Sequence, residues 1–443
     1  EWSYSDYAIG FDSTEFWPSS LVDQMPSEAI GGLFPVVNIE QFQSMSRGSA
    51  PNRNRIYTVQ PNVSLNRGNH NIRSGLDLRW TNVFNENYNN SGGNISFTRQ
   101  FTRSNITTTS ELEGNAFASF LLGAPSSGFV DSNPKPHYQW FFAAPWIQDD
   151  WRISNKLTLN LGFRWDINGS VTEENNMLNY AFDPTIVNPV SGRVGMPVMG
   201  GIRFAGVDGA PDRPWKLDKD NWQGRVGMAY SINEKTVFRA GYGKYFLNPT
   251  GQGNNAGFSK TTNLTASLDN NQTPTYVLSN PWPTGIQTPS GSALGPLTFL
   301  GLSPNYSNPD FVVPNVHQFS VGIQRELPWN VSLDMTYAGS RSYDLETGFG
   351  AVNEPSAAFQ AQCDVTLGGS AAFCNQLITN PFYQVPGFEG TTRFTNPTLS
   401  RFELSRPFPA FGGITQNQNN IGKLTYDSAQ FVANKRWAKG VTV

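Results

Sequence analysis

From Leu157 to Ile167 the chain alternates apolar and polar residues without a break. Leu157, Leu159, Leu161, Phe163, Trp165 and Ile167 share one phase; Thr158, Asn160, Gly162, Arg164 and Asp166 share the other. Successive side chains of a strand point to opposite faces, so the pattern predicts a strand with one greasy and one polar face. It is long enough to cross a bilayer when tilted, which takes roughly 9–11 residues. A short Ser154-Asn155-Lys156 link joins it to the strand before, making a long hairpin with a tight turn.

The device recurs. Asn66–Asn69 joins RIYTVQPNVSL to NIRSGLDLRW, Asn233-Glu234 joins GRVGMAYSI to TVFRAGYGKYF, and Pro328-Trp329-Asn330 joins QFSVGIQREL to VSLDMTYAGS. Asn, Gly and Pro are what such turns demand. The other connections are long, running over 171–221, 249–315 and 346–420, and rich in Gly, Pro, Asn and Ser. Loops of that length are uncommon in a compact soluble domain. From Ser154 onward short and long links alternate, the signature of a transmembrane barrel with short periplasmic turns and long outer loops.

Strands are predicted over 2–11, 36–43, 53–65, 70–84, 94–103, 126–132, 137–153, 156–170, 222–232, 235–247, 316–326, 331–345 and 421–437, with 256–266 doubtful. That gives an all-β fold: a large antiparallel transmembrane β-barrel, of which this chain would carry 13–14 strands out of an expected 22. Asn115–Leu122 reads as a short helix, and Pro18–Met25 as another. The chain begins at Glu1 without a signal peptide and stops at Val443 inside a strand-like run. An open barrel leaves unpaired edges, so residues 1–443 are expected to be a barrel domain cut at both ends.

Composition sharpens this. Aromatic residues make up 13% and charged residues only 15% of the chain, the latter well below the usual quarter. The net charge of −3 gives no sign of a nucleic-acid partner. No apolar run approaches the ~20 residues of a membrane helix, so a membrane form must cross as strands, with outer-membrane lipid as its first partner.

Four segments resemble the barrel of Oar-like TonB-dependent outer-membrane transporters: GNAFASFLLGAP (114–125), IQDDWRISNKLTLNLGFRWD (147–166), WQGRVGMAYSINEKTVFRAGYGKYF (222–246) and VHQFSVGIQRELPWNVSLDMTYAGSRSYDL (316–345). Their order and spacing match over nearly the whole chain. The resemblance implies active uptake across a bacterial outer membrane, powered by a TonB complex acting through a plug. No plug, TonB box or terminal aromatic strand is seen in these residues.

Several residues are singled out. Trp140, Trp146, Trp151 and Trp165 cluster around one hairpin and read as an aromatic girdle at a bilayer interface, or alternatively as a soluble aromatic core. Arg73, Arg79, Arg164, Arg225, Arg239 and Arg325 read as polar-face residues. Charge on the lipid face costs about 2–4 kcal/mol at the midplane, so they are expected to face the lumen, as a wall for a plug or solute or as a solvated interior. Cys363 and Cys374 are the only cysteines; so isolated a pair reads as a local disulfide in an oxidising compartment. In the long loops Trp215, Tyr276, Trp282, Phe382 and Tyr383 combine rings with polar surroundings. They suit recognition of an extracellular substrate, or packing among the loops.

Catalytic and metal chemistry find no support. His70, His137 and His317 lie far apart, and Asp149 and Asp150, as strand neighbours, point to opposite faces. Glu173-Glu174 reads as a solvated loop pair. No phosphate loop, G-x-S-x-G elbow or HExxH is present. No cofactor or metal is expected. The leading reading is a transport barrel whose long outer loops bind an unidentified substrate. The alternatives are an outer-membrane adhesion or scaffold protein and a secreted β-rich carbohydrate binder.

Overall fold

Period-two segments closed by tight turns can only pair with their sequence neighbours, and the computed structural model shows this arrangement. It describes residues 34–47, 52–85, 89–104, 113–247, 257–269 and 271–435. The segments expected at 2–11 and 18–25 lie outside the described residues.

Nine staves form one large antiparallel sheet. They are β1 (Asn52–Val59, continued as Asn62–Arg67), β2 (His70–Asn85), β3 (His137–Arg152), β4 (Leu157–Asn168), β5 (Asp218–Asn233), β6 (Thr236–Phe246), β7 (Asn315–Leu327), β8 (Val331–Ala351) and β9 (Thr415–Lys435). Each pairs with the next in order, and the sheet is open: β1 stands at one end, and at the other the short strand Asn305–Ser307 pairs in parallel with the start of β9. The two halves of β1 keep one register against β2, from Val59 opposite Leu78 to Asn62 opposite Gly75. Pro61, which has no N–H to give, marks the interruption between them.

The turns define two rims. Tight links join β1 to β2 at Gly68-Asn69, β3 to β4 at 153–156, β5 to β6 at Glu234-Lys235, and β7 to β8 at Pro328–Asn330. Gly68 supplies the positive φ of +59° that the first of these needs. Every long excursion, 86–136, 169–217, 247–314 and 352–414, leaves from the opposite rim.

These excursions are folded. Segments of the last three share an apolar core that includes Phe182, Ile202, Phe299, Phe382, Phe388 and Phe411. A second core under β2, β3 and the strap before β5 holds Val83, Tyr138, Leu178, Trp215 and Phe311. A small five-stranded sheet is separate from the wall, in the order Lys260–Asn263, Ser127–Ser132, Asn94–Phe97, Phe34–Ile39, Met45–Arg47. Its core is Val37, Ile39, Ile95, Phe97 and Val130, sealed by Trp282 and the helix Ala116–Leu121. The strands expected at 36–43, 94–103 and 126–132 therefore belong to this sheet and are not staves of the wall. The doubtful 256–266 segment supplies its edge strand. Asn115 caps the helix by accepting the Ala118 N–H. No helix among the described residues is long and apolar enough to cross a membrane.

Candidate lumen wall and outer rim

Register assigns every wall side chain to a face. Residues directly opposite in antiparallel strands share a face. Starting from Leu161 and Phe163, both exposed on β4, the apolar face continues through Ile147 on β3, Val226 on β5, Tyr242 on β6, Phe319 and Val321 on β7 and Tyr337 on β8. Exposed large apolar side chains along a continuous sheet face are what a lipid-facing wall presents.

The tryptophans divide between the faces. Trp151 and Trp165 lie on the outward face, opposite Leu159 and Trp222. Trp146 lies opposite Arg164, and Trp140 shares its phase, so both belong to the lumen face. This corrects the expectation of a girdle built from all four. Trp146 fills space left by Gly75, its direct partner: a Cβ there would approach the indole to 2.9 Å. Trp140 packs against the core around Val83 and Tyr138. The outward belt instead recruits Trp80, Trp222, Tyr242 and Tyr343, all exposed. Trp222 and Tyr230 are eight residues apart on β5. At roughly 2.5 Å of axial rise per residue for a tilted strand, that is ~20 Å, close to the ~25 Å height of an apolar barrel band.

The arginines follow the same rule, with one exception. Arg73, Arg79, Arg164, Arg225 and Arg239 share the lumen face. Arg325 instead shares the phase of Phe319, Val321 and Ile323 and faces outward, opposite Leu333. It stands beside the β7–β8 turn, where the cost of an outward charge falls to about 0–1 kcal/mol.

Most lumen charges are tied to one another. Asp77 accepts two bonds from Arg79, at 2.6 and 3.0 Å, and one from Gln60 at 3.0 Å. Arg164 approaches the same carboxylate at 3.6 Å and donates to Asp166 at 2.6 Å. Gln223 donates to the other Asp166 oxygen. Both guanidiniums lie over the Phe142 ring, at 5.4 and 5.6 Å. The network crosses from β1 to β5 and is electrically balanced. Nearer the tight turns Arg73 donates to Asp150 at 2.7 Å, which Asn160 also contacts.

Arg225 and Arg239 differ. Neither has an acidic partner among the described residues, and the Arg225 guanidinium sits 5.9 Å from the Tyr245 ring. Beside them runs a trough of about 410 Å³ on the lumen face. Gly241, Gly243, Ser320, Ala338 and Ser340 form its floor, and Tyr245, Gln318 and Tyr426 line it. Small side chains leave the space and rings edge it; on the same face Arg225 lies opposite Gly243, and Arg239 stands two residues before Gly241.

At the outer rim Trp215, Trp282 and Phe382 are buried at 5%, 2% and 0% exposure. They are core residues of the folded excursions, which corrects the expectation that they present a recognition surface. Tyr383 is exposed and Tyr276 half-buried. Cys363 and Cys374 form a disulfide, Cα–Cα 5.6 Å, joining the helices Ala357–Cys363 and Ala371–Asn375. A buried clasp closes the 352–414 excursion: Arg393 and Arg406 both donate to Glu403, at 2.9 and 2.8 Å, and Arg406 also reaches Glu354 at 3.0 Å. Burial alone would lift the Glu403 pKa, but the two guanidiniums outweigh it and hold the carboxyl below its ordinary range.

The family model for the outer membrane beta barrel domain matches residues 3–443. The chain belongs to that family, and its place is the bacterial outer membrane. No curated protein matches it. Among solved structures it is similar to the YddB outer membrane transporter of Escherichia coli, at 11% identity and a TM-score of 0.38 over 89% of this chain and 33% of that one. It is also similar to the FrpB iron transporter of Neisseria meningitidis, at 10% identity and 0.35 over 88% and 35%. The siderophore receptor PirA of Acinetobacter baumannii gives 9% identity and 0.36 over 92% and 37%. The chain spans about a third of the length of each.

Proposed function

We propose that this chain is the barrel portion of an Oar-like TonB-dependent transporter that admits an extracellular solute through its lumen. The observation that carries the reading is the lumen trough with its two unpaired cations, Arg225 and Arg239. A wall that only anchored an adhesin would have no need to leave positive charge uncompensated beside an open groove, since balanced pairs serve stability as well. The cations favour an anionic solute or an anionic face of a plug. In this reading the plug closes the lumen and an inner-membrane TonB complex opens it. The excursions form the extracellular rim, and the exposed Tyr383 and half-buried Tyr276 are its candidate contacts.

The test is solute depletion from a defined medium. It compares cells carrying the intact gene, cells lacking it, cells whose TonB complex is inactive, and cells carrying the double substitution Arg225→Gln/Arg239→Gln. Depletion of an anionic solute that needs the gene, an active TonB complex and both arginines is expected. Altered cell attachment with no gene-dependent depletion would favour the adhesion role instead.

A further inference from the structure

A second cavity lies on the opposite face of the wall, near the excursion rim. It has a volume of about 220 Å³, and Trp80, Asn82, Gln139, Phe141, Ser170 and Arg213 line it. Its construction is specific. Trp80 lies directly opposite Phe141, and Asn82 directly opposite Gln139, all four on the outward phase. β4 ends at Asn168, opposite Phe142, yet the chain resumes pairing with Thr172 opposite Gln139, one residue out of step. The extra residue makes a bulge at Gly169-Ser170, a device that re-aims a side chain. Gly169 lets the bulge press against the Phe141 backbone, where a Cβ would come within 2.6 Å of the carbonyl oxygen. Ser170 is thereby turned into the cavity lining. It is 1% exposed, and its hydroxyl has no hydrogen-bond partner. A buried hydroxyl without a partner is unfavourable, and a ligand hydroxyl would supply one.

We infer that this cavity binds one ring of an acidic sugar. Trp80 is 46% exposed and offers a flat apolar face for a pyranose. Asn82, Gln139 and Ser170 offer donors and acceptors for ring hydroxyls. Arg213, whose acidic neighbour Asp212 stands 3.4 Å away and is well exposed, supplies a guanidinium for a carboxylate or phosphate, groups that Arg recognises in a bidentate way. The site is distinct from the lumen trough, which faces the other way. Trp80 stands eleven residues beyond Asn69, or ~28 Å at roughly 2.5 Å per residue. That is just above an apolar band ~25 Å tall, so the ring could belong to a glycolipid headgroup of the outer leaflet or to a free acidic oligosaccharide. This placement rests on the excursion rim being extracellular; the sugar chemistry does not.

The test uses the full-length protein purified in mild detergent. Glucosamine 1-phosphate and glucuronic acid are titrated against it, with intrinsic tryptophan fluorescence as the readout. The variants are Arg213→Gln and Trp80→Leu, with Arg325→Gln, an outward-facing arginine beside the β7–β8 turn, as a control. Folding of each is checked by heat-modifiable gel mobility. Binding of at least one probe is expected, weakened about tenfold or more by Arg213→Gln and Trp80→Leu and unchanged by Arg325→Gln. Native mass spectrometry of freshly extracted protein separates the sources: a retained glycolipid lost in Arg213→Gln marks the headgroup, and probe binding without a retained lipid marks the free sugar. No binding of either probe, or binding insensitive to both substitutions, overturns the inference. Because the titration is done on extracted protein, it stands even if the rim proves periplasmic.

Discussion

Trp165 and Trp222 are direct cross-strand partners, and their rings stack 4.5 Å apart and 12° from parallel. Both point away from the lumen, and Phe163 packs against the same indole at 5.6 Å. Such a stack on an exposed face is costly in water and favourable at a bilayer interface, where ring and headgroup both find partners. Trp165 also donates its indole N–H to the Lys219 carbonyl at 2.7 Å, which fixes its depth. A double-mutant cycle of Trp165→Ala and Trp222→Ala, read by thermal unfolding in detergent, should give a coupling of about 0.5–1.5 kcal/mol. Independent effects would show that the stack adds nothing to the wall.

The Asp77 network should matter to stability more than any exposed pair. Asp77 and Asp166 are each 5% exposed and hold two arginines across the staves. Removing Asp77 strands Arg79 and Arg164, and because their side chains are 39% and 24% exposed, solvent screens part of the charge and the cost falls below the roughly 3–5 kcal/mol of a fully buried pair. Asp77→Ala should therefore lower the unfolding midpoint markedly, and Asp77→Ala/Arg79→Ala should recover part of the loss. A double variant no better than the single one would show that the aspartate acts without the arginine.

The clasp around Glu403 gives the rim a pH dependence with a definite sign. Its folded pKa is depressed below the ordinary 4.5. The stabilisation is therefore fully present above the pKa of the unfolded chain and is lost as pH falls through the lower folded value. Amide exchange across 377–411 should accelerate as pH drops below about 4, after correction for intrinsic rates. Glu403→Gln should abolish that step while leaving exchange in β4 and β5 unchanged. A step that survives Glu403→Gln would assign it to another group.

The disulfide should act locally. Cys363 and Cys374 are eleven positions apart and brace two short helices at the edge of the fourth excursion. Closing so short a loop is worth roughly 3 kcal/mol in the chain-entropy model. Reduction should raise protease sensitivity between 357 and 376 without shifting unfolding of the wall. Intact mass after alkylation, with and without reductant, counts the thiols directly; two free thiols in unreduced protein would contradict the pairing.

What the sequence makes legible is the hairpin rule. Tight turns at Gly68, Glu234 and Trp329 separate strands whose phase is unmistakable, so the order of the wall and its two rims can be read directly. Four things were hidden, each for a physical reason. The segments around Val37, Ile95 and Val130 carry the same alternation as a stave, because a small sheet with one buried face has the same period as a barrel. In HYQWFFAAPWIQDDWR every position from Trp140 to Ile147 is apolar or aromatic, so no phase shows there, and pairing to β4 places Trp146 inside and Trp151 outside. Arg325 was legible: it is in phase with Phe319, Val321 and Ile323, and counting by twos from Ile323 shows it. The rim was the least legible. For the loops containing Trp282 and Phe382 the sequence left recognition and packing both open, and only contacts between excursions far apart in sequence show that they fold. The bulge at Ser170 carries no sequence signal beyond Gly169.

One face of the large sheet meets lipid and the other a water-filled lumen, an arrangement that a spin-label scan of β4 in a bilayer reads residue by residue. Labels are placed singly at Thr158, Leu159, Asn160 and Leu161 of the full-length protein. Collision with oxygen and with a water-soluble nickel chelate is then measured. High oxygen and low nickel accessibility is expected at 159 and 161, with the reverse at 158 and 160. Accessibility that does not alternate along these four positions would contradict this arrangement.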